Sequence, residues 1–239
     1  MTALASDRLT LIRHSDEEAW TEGVAREMAG LLGEEITRHG RARMLLSGGT
    51  TPAPVYETLA EHPLEWARVE VGLADERWLS PQDRDSNAHL VRHSFLNLTE
   101  GAHFDPLVRV GKPLAECVHD ANVQAQHSQP PCLVVLGMGN DGHTASLFPG
   151  SRDLERALQS NKPYAALDAS GCPVAKDWHL RITLTPHGLS TIGTRLLLLR
   201  GKQKLEVLEA ALASNDVHAY PVLAALNAPG SPLRVHWCA

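Results

Sequence analysis

With 239 residues and 43% hydrophobic content, the chain is long enough to bury a substantial core and fits one large α/β domain. A formal net charge of −6 argues against a broad polyanion-binding face, so nucleic acid is not an expected partner and basic residues must act locally. No apolar run reaches the roughly 18 residues of a membrane span, Met1 to Thr10 lacks a signal peptide's basic start and apolar stretch, and the cysteines at 117, 132, 172 and 238 form no C-x-x-C pair.

These features predict a soluble, cytoplasmic protein in a reducing compartment. A monomer or weak dimer is expected. No linker, low-complexity tract or repeat interrupts residues 1–239, so a single domain is expected. In chain order, Leu9 to Ile12 reads as a strand, and Ser15 with Glu18 reads as the capping box of a helix that Gly40 ends. Further strands fit 44–47, 69–74, 132–136, 164–168, 179–184, 195–199 and 233–237. Helices fit 52–61, 87–97, 113–127, 202–213 and 216–226, the last interrupted near Pro221. The alternation predicts an α/β fold with a mainly parallel sheet and helices on both faces.

Chemistry concentrates where strands end. The apolar run from Cys132 to Leu136 breaks into Gly137-Met138-Gly139-Asn140-Asp141-Gly142-His143, which places an acid and a histidine at the carboxyl end of a buried strand. Open α/β sheets bind ligands at that end, and a histidine of ordinary pKa about 6.5 suits proton transfer at neutral pH. Gly137, Gly139 and Gly142 also match G-x-G-x-x-G. A dinucleotide site nevertheless needs a full helix next and an acid about 20 residues on; here Pro149 and Gly150 stop any helix after about two turns, and the acid is missing.

A second loop, Ser47-Gly48-Gly49-Thr50-Thr51-Pro52, follows apolar Met44-Leu45-Leu46. Glycines and hydroxyl residues before a helix whose first turn accepts proline fit an anion cradle of backbone N–H groups, the alternative being an ordinary helix capped by Ser or Thr after a glycine turn. A third strand end carries Asp75-Glu76-Arg77-Trp78, trailed by Ser86-Asn87. Arg77 beside an anion cradle outweighs the alternative of a solvated acidic turn.

Together these motifs resemble the 6-phosphogluconolactonase family, within the larger group that includes glucosamine-6-phosphate deaminases. The resemblance rests on LSGGTTP at 46–52, DERW at 75–78, LGMGNDGHTASLFPG at 136–150, RITLT at 181–185 and, more weakly, Gly201-Lys202-Gln203-Lys204. It spans most of the chain in order. Deaminases usually read Asp-Glu-Tyr at the second motif and Asp-Gly-His-Ile-Ala-Phe-Asn-Glu-Pro at the third. This chain has Arg77 at the tyrosine, and Thr144-Ala145-Ser146-Leu147-Phe148 where they place an additional acid, so the lactonase branch is the better match. Pro173 to His179 departs from the proline-rich stretch that often precedes RITLT.

The resemblance implies a Rossmann-like architecture and hydrolysis of a sugar-phosphate lactone, 6-phosphogluconolactone, in the oxidative branch of the pentose phosphate pathway. The phosphate would be held by Ser47, Gly48, Gly49, Thr50 and Thr51 with Arg77, Arg181 and Lys204. His143 would activate water, Asp141 would orient the imidazole or cap a short following helix, and Asp75 would line the pocket. Neither a metal nor a nicotinamide cofactor is expected: His89 and His93 are four apart on a helix, but no third ligand is identifiable near them. A deaminase or isomerase using Asp75 as proton shuttle, and a sensor that keeps the cradle without needing His143, are the alternative classes.

Overall fold

The computed structural model describes residues 7–239, so Met1 to Ser6, part of the stretch read above for a leader, lie outside the described residues. Its strands are β1 (Leu9–Arg13), β2 (Ala42–Leu46), β3 (Val69–Leu73), β4 (Asp75–Arg77), β5 (His103–Phe104), β6 (Leu133–Leu136), β7 (Tyr164–Asp168), β8 (Leu180–Leu184), β9 (Thr194–Arg200) and β10 (Leu233–Cys238). The α-helices are α1 (Glu17–His39), α2 (Ala53–Ala60), α3 (Asn87–Ser94), α4 (Leu114–His127), α5 (Leu154–Leu158), α6 (Pro186–Ser190), α7 (Lys202–Ser214) and α8 (Leu223–Asn227).

Strands β2 and β6 are buried at every position, as residues covered on both faces must be. They lie at the centre of a seven-stranded sheet in the order β1-β10-β9-β6-β2-β3-β5, and every pairing within it is parallel. From β2 the chain winds outward to β3 and β5; from β6 it winds the other way, to β9 and β10. Right-handed crossovers in opposite directions put helices on opposite faces of the sheet. The reversal also opens a crevice between the carboxyl ends of β2 and β6, the place where such sheets take ligands. The two glycine loops read from the sequence are the segments that leave those two strands.

A second sheet, β4-β8-β7, is antiparallel. It corrects the reading of 69–74 as one strand ending in charge. The chain changes sheets at Ala74, whose N–H donates to Leu46 O and whose carbonyl accepts from Leu184 N–H. Asp75 is thereby paired opposite Thr183, and Arg77 opposite Arg181.

Three other local readings are corrected. The N-cap of α1 is Asp16 rather than Ser15: its extended backbone lets Oδ1 accept from Ala19 N–H at 2.8 Å, and Ser15 donates its hydroxyl to the same carboxylate. Gly40 ends α1 in a left-handed conformation, φ 76°, as read. The helix placed at 216–226 is a series of turns through Tyr220, and only Leu223–Asn227 is helical; Pro221 has no N–H to continue a helix through it. No helix follows Gly142. The chain instead forms a tight turn bridged between Thr144 and Leu147, with Ala145 at φ 47°. Among the described residues no helix is long and apolar enough to cross a membrane.

Candidate active site

The crevice at the switch point is a cleft of about 530 Å³. Of the residues proposed from sequence, all but Asp141 line it: Ser47 to Thr51, Asp75, Arg77, His143, Arg181 and Lys204 converge from five separate segments.

The loop after β2 is set by its glycines and by Tyr56. A Cβ on Gly48 would lie 1.9 Å from Asn87 Oδ1, and Gly49 has φ 101°, so neither position accepts an ordinary side chain. The buried Tyr56 hydroxyl accepts from Ser47 N–H at 3.1 Å and donates to Ser47 O at 2.9 Å. This corrects one detail of the expected cradle, since the Ser47 N–H is already engaged. What Ser47 retains is its hydroxyl, which is buried with no partner in the lining of the cleft.

The loop after β6 holds the acid and the histidine together. Nδ1 of His143 lies 2.6 Å from Oδ1 of Asp141, and His143 N–H also donates to that oxygen at 3.2 Å. Burial works to raise the Asp141 carboxyl, but the hydrogen bonds and charge of His143 outweigh it and hold it below the usual carboxylate range. The approach requires glycine at 139, where a Cβ would meet His143 Nδ1 at 2.1 Å and Asp141 Oδ1 at 2.2 Å. Phe148 packs on the imidazole, ring centroids 4.6 Å apart. Asp141 therefore stands behind His143, outside the cleft lining, bonded to the imidazole and with no helix following for it to cap.

The basic side chains are anchored as they enter. Arg77 donates from Nη1 to Asp85 O at 2.6 Å and to Asn87 Oδ1 at 3.1 Å. Arg181, only 5% exposed, donates to Trp178 O and Ala175 O and lies over the Phe148 ring, so it also fixes the chain segment that departs from the family pattern. Lys204 donates to Met138 O at 2.5 Å, and burial lowers its pKa while Asp141 opposes that shift. Next to Asp75, the Glu76 carboxylate accepts three backbone N–H groups, from Arg77, Asn87 and Ala88. Burial nonetheless pushes it up to about 7. Glu76 ties the start of α3 to β4.

Sequence reasoning missed Asn140, Lys176 and Arg200 in the lining. Arg200 carried a legible signal, a charge ending the apolar run of β9, the same pattern that singled out Asp75. It pairs with Glu17 in the first turn of α1. Lys176 carried none, because it lies in an irregular stretch. His89 and His93 stack on each other, ring centroids 3.9 Å apart, and among the described residues no group of three or more His, Cys, Asp or Glu side chains is placed to hold a metal ion.

A doubly wound α/β fold with a cationic cleft and a carboxylate-backed histidine at its switch point defines a class that binds and transforms small anions. The model of the family described as glucosamine-6-phosphate isomerases/6-phosphogluconolactonase matches residues 15–237, and the chain belongs to that family. A Xylella fastidiosa (strain Temecula1) protein named 6-phosphogluconolactonase is 62% identical over 231 residues, 97% of each chain. One of the same name from Pseudomonas aeruginosa is 39% identical over 219 residues, 90% of this chain and 89% of its own. The crystal structure of a 6-phosphogluconolactonase from Shewanella baltica OS155 superposes with a TM-score of 0.89 at 34% identity, covering 97% of this chain and 98% of that one.

Proposed function

We propose that this chain hydrolyses 6-phospho-D-glucono-1,5-lactone to 6-phosphogluconate in the oxidative branch of the pentose phosphate pathway. The observation that carries the reading is the orientation of His143 in a cleft lined with cations. With Nδ1 committed to Asp141, Nε2 is the nitrogen left to exchange a proton with a molecule in the cleft.

The 6-phosphate is held by the N–H groups of the Gly48 to Thr51 turn, the Ser47 hydroxyl, Arg77, Arg181 and Lys204. Guanidinium groups give paired hydrogen bonds to phosphate oxygens, and the lysine adds a point charge. Anchoring the remote end places C1 of the lactone near His143, which removes the entropy cost of finding that geometry in solution. Nε2 takes a proton from water as the water oxygen bonds to C1, and the carbonyl electrons move to oxygen. When the tetrahedral adduct collapses, the bond from C1 to the ring oxygen breaks and the imidazolium returns its proton to that oxygen. One residue serves both transfers, and Asp141 stabilises the imidazolium between them.

The test is to incubate the purified protein with freshly prepared 6-phosphogluconolactone, subtract spontaneous hydrolysis, and assay ammonia release from glucosamine 6-phosphate in parallel. Acceleration of the first reaction alone supports the reading. Ammonia release without lactone hydrolysis contradicts it.

A further inference from the structure

Ser146 takes no part in the reaction sequence above and lies outside the cleft lining, yet the chain is bent to place it. It is wholly buried, and its hydroxyl donates to Asp75 Oδ2 at 2.5 Å. Ala145, just before it, sits at φ 47°, in the left-handed region that a residue with a Cβ rarely enters. Ser146 N–H is held by Thr183 Oγ1 at 3.1 Å, and Thr183 is the residue directly opposite Asp75 across the β4–β8 pairing. The carboxylate and the hydroxyl that binds it are thus both referenced to β8.

The second oxygen of Asp75 is less occupied. Asn87 Nδ2 approaches Oδ1 only to 3.4 Å, because its main bond is to Asp75 O at 2.8 Å. A carboxylate has about four acceptor positions, so one oxygen fixed from behind leaves the other able to accept from a molecule in the cleft. Arg181 from β8, Glu76 beside it on β4, Tyr56 from α2 and Tyr164 from β7 lie within electrostatic reach of Asp75, and Arg77 lines the same cleft.

We propose that Ser146 is a positioning residue: its hydroxyl holds the Asp75 carboxylate in one rotamer, so that the other oxygen accepts a hydrogen bond from a ring hydroxyl of the sugar lactone. This rests on the lactone reading of the cleft and deepens it. Ser146 sets how well a hydroxylated ring is held, and leaves the proton transfers to His143. Removing the hydroxyl takes away the bond to Oδ2 and frees the carboxylate to rotate.

The experiment compares Ser146→Ala, Asp75→Asn and the double variant by kcat and KM for 6-phosphogluconolactone, with thermal melting and the Kd for 6-phosphogluconate as controls. For Ser146→Ala the expected result is a fall in kcat/KM of about tenfold or more, mostly in KM, as for a lost hydrogen bond to a buried charge. The change in kcat should be much smaller, a split that a general loss of structure would not give. In the Asp75→Asn background the same change should cost nothing further, because the group it acts through is gone. Additive losses, or a wild-type KM in Ser146→Ala, overturn the proposal. Should Ser146→Ala fail to fold, Ser146→Cys, a weak donor of similar size, is expected to raise KM with kcat little changed; a wild-type KM contradicts the assignment. Wild-type kinetics in Asp75→Asn would instead remove Asp75 from the lactone reading and overturn the Ser146 assignment with it.

Discussion

His143 Nδ1 and Asp141 Oδ1 lie 2.6 Å apart on a single turn, with only Gly142 between the two residues and with no space for a side chain at Gly139 beside them. A carboxylate at this distance keeps the proton on Nδ1 and stabilises the imidazolium that forms when Nε2 accepts one. Asp141→Asn keeps the shape but removes the charge and permits the wrong tautomer. Its kcat is expected to fall by about 10²-fold or more, with the Kd for 6-phosphogluconate little changed. Unchanged kcat would mean that Asp141 only shapes the loop.

The basic residues are expected to divide phosphorylated from unphosphorylated substrate. Arg77→Ala and Lys204→Ala should each raise KM for 6-phosphogluconolactone by about tenfold or more, from charge-assisted bonds worth roughly 1.5–3 kcal/mol, and affect gluconolactone far less. Lys204 also holds Met138 O in the turn that carries His143, and Arg181 holds Ala175 O and Trp178 O. Variants at these two positions should therefore lose some kcat as well. Equal effects on both lactones, measured by initial rates, would remove a residue from the phosphate site.

Much of this arrangement was legible in the sequence because it depends on local signals. Apolar runs broken by glycine marked β2 and β6, and the residues just beyond them supplied the cradle and the Asp141-His143 turn. What escaped was set by long-range pairing. The switch of sheets at Ala74 depends on hydrogen bonds to Leu46 and Leu184, which no local pattern encodes. The same holds for Ser146, whose partners Asp75 and Thr183 are distant in sequence. The claim of Tyr56 on the Ser47 N–H is closer, nine residues away, but a tyrosine on a helix ordinarily reads as core.

Away from the cleft, Glu27 predicts an acid limb of stability. His236 and Arg234 hold its carboxyl at about 2 against the opposing effect of burial, from an ordinary 4.5. Arg234 Nη1 lies 2.6 Å from Oε1 and His236 Nε2 lies 3.2 Å from Oε2. Because the folded value is depressed, this contribution is fully present above about 4.5 and is lost as the pH falls toward about 2. Half-burial and solvent screening reduce it to about 1–2 kcal/mol, or a few degrees in Tm. Glu27→Gln should melt below wild type at neutral pH, and the gap should close in acid. A gap independent of pH would show that the charge is not what Glu27 contributes.

The central claim is that His143 is the base acting on the lactone, and single-turnover and steady-state rates of His143→Asn with 6-phosphogluconolactone test it most directly. Asparagine is close in shape and has no titratable nitrogen. The predicted result is a kcat at least about two orders of magnitude below wild type, with affinity for 6-phosphogluconate retained. A variant that binds the product normally and keeps most of its turnover would contradict the account.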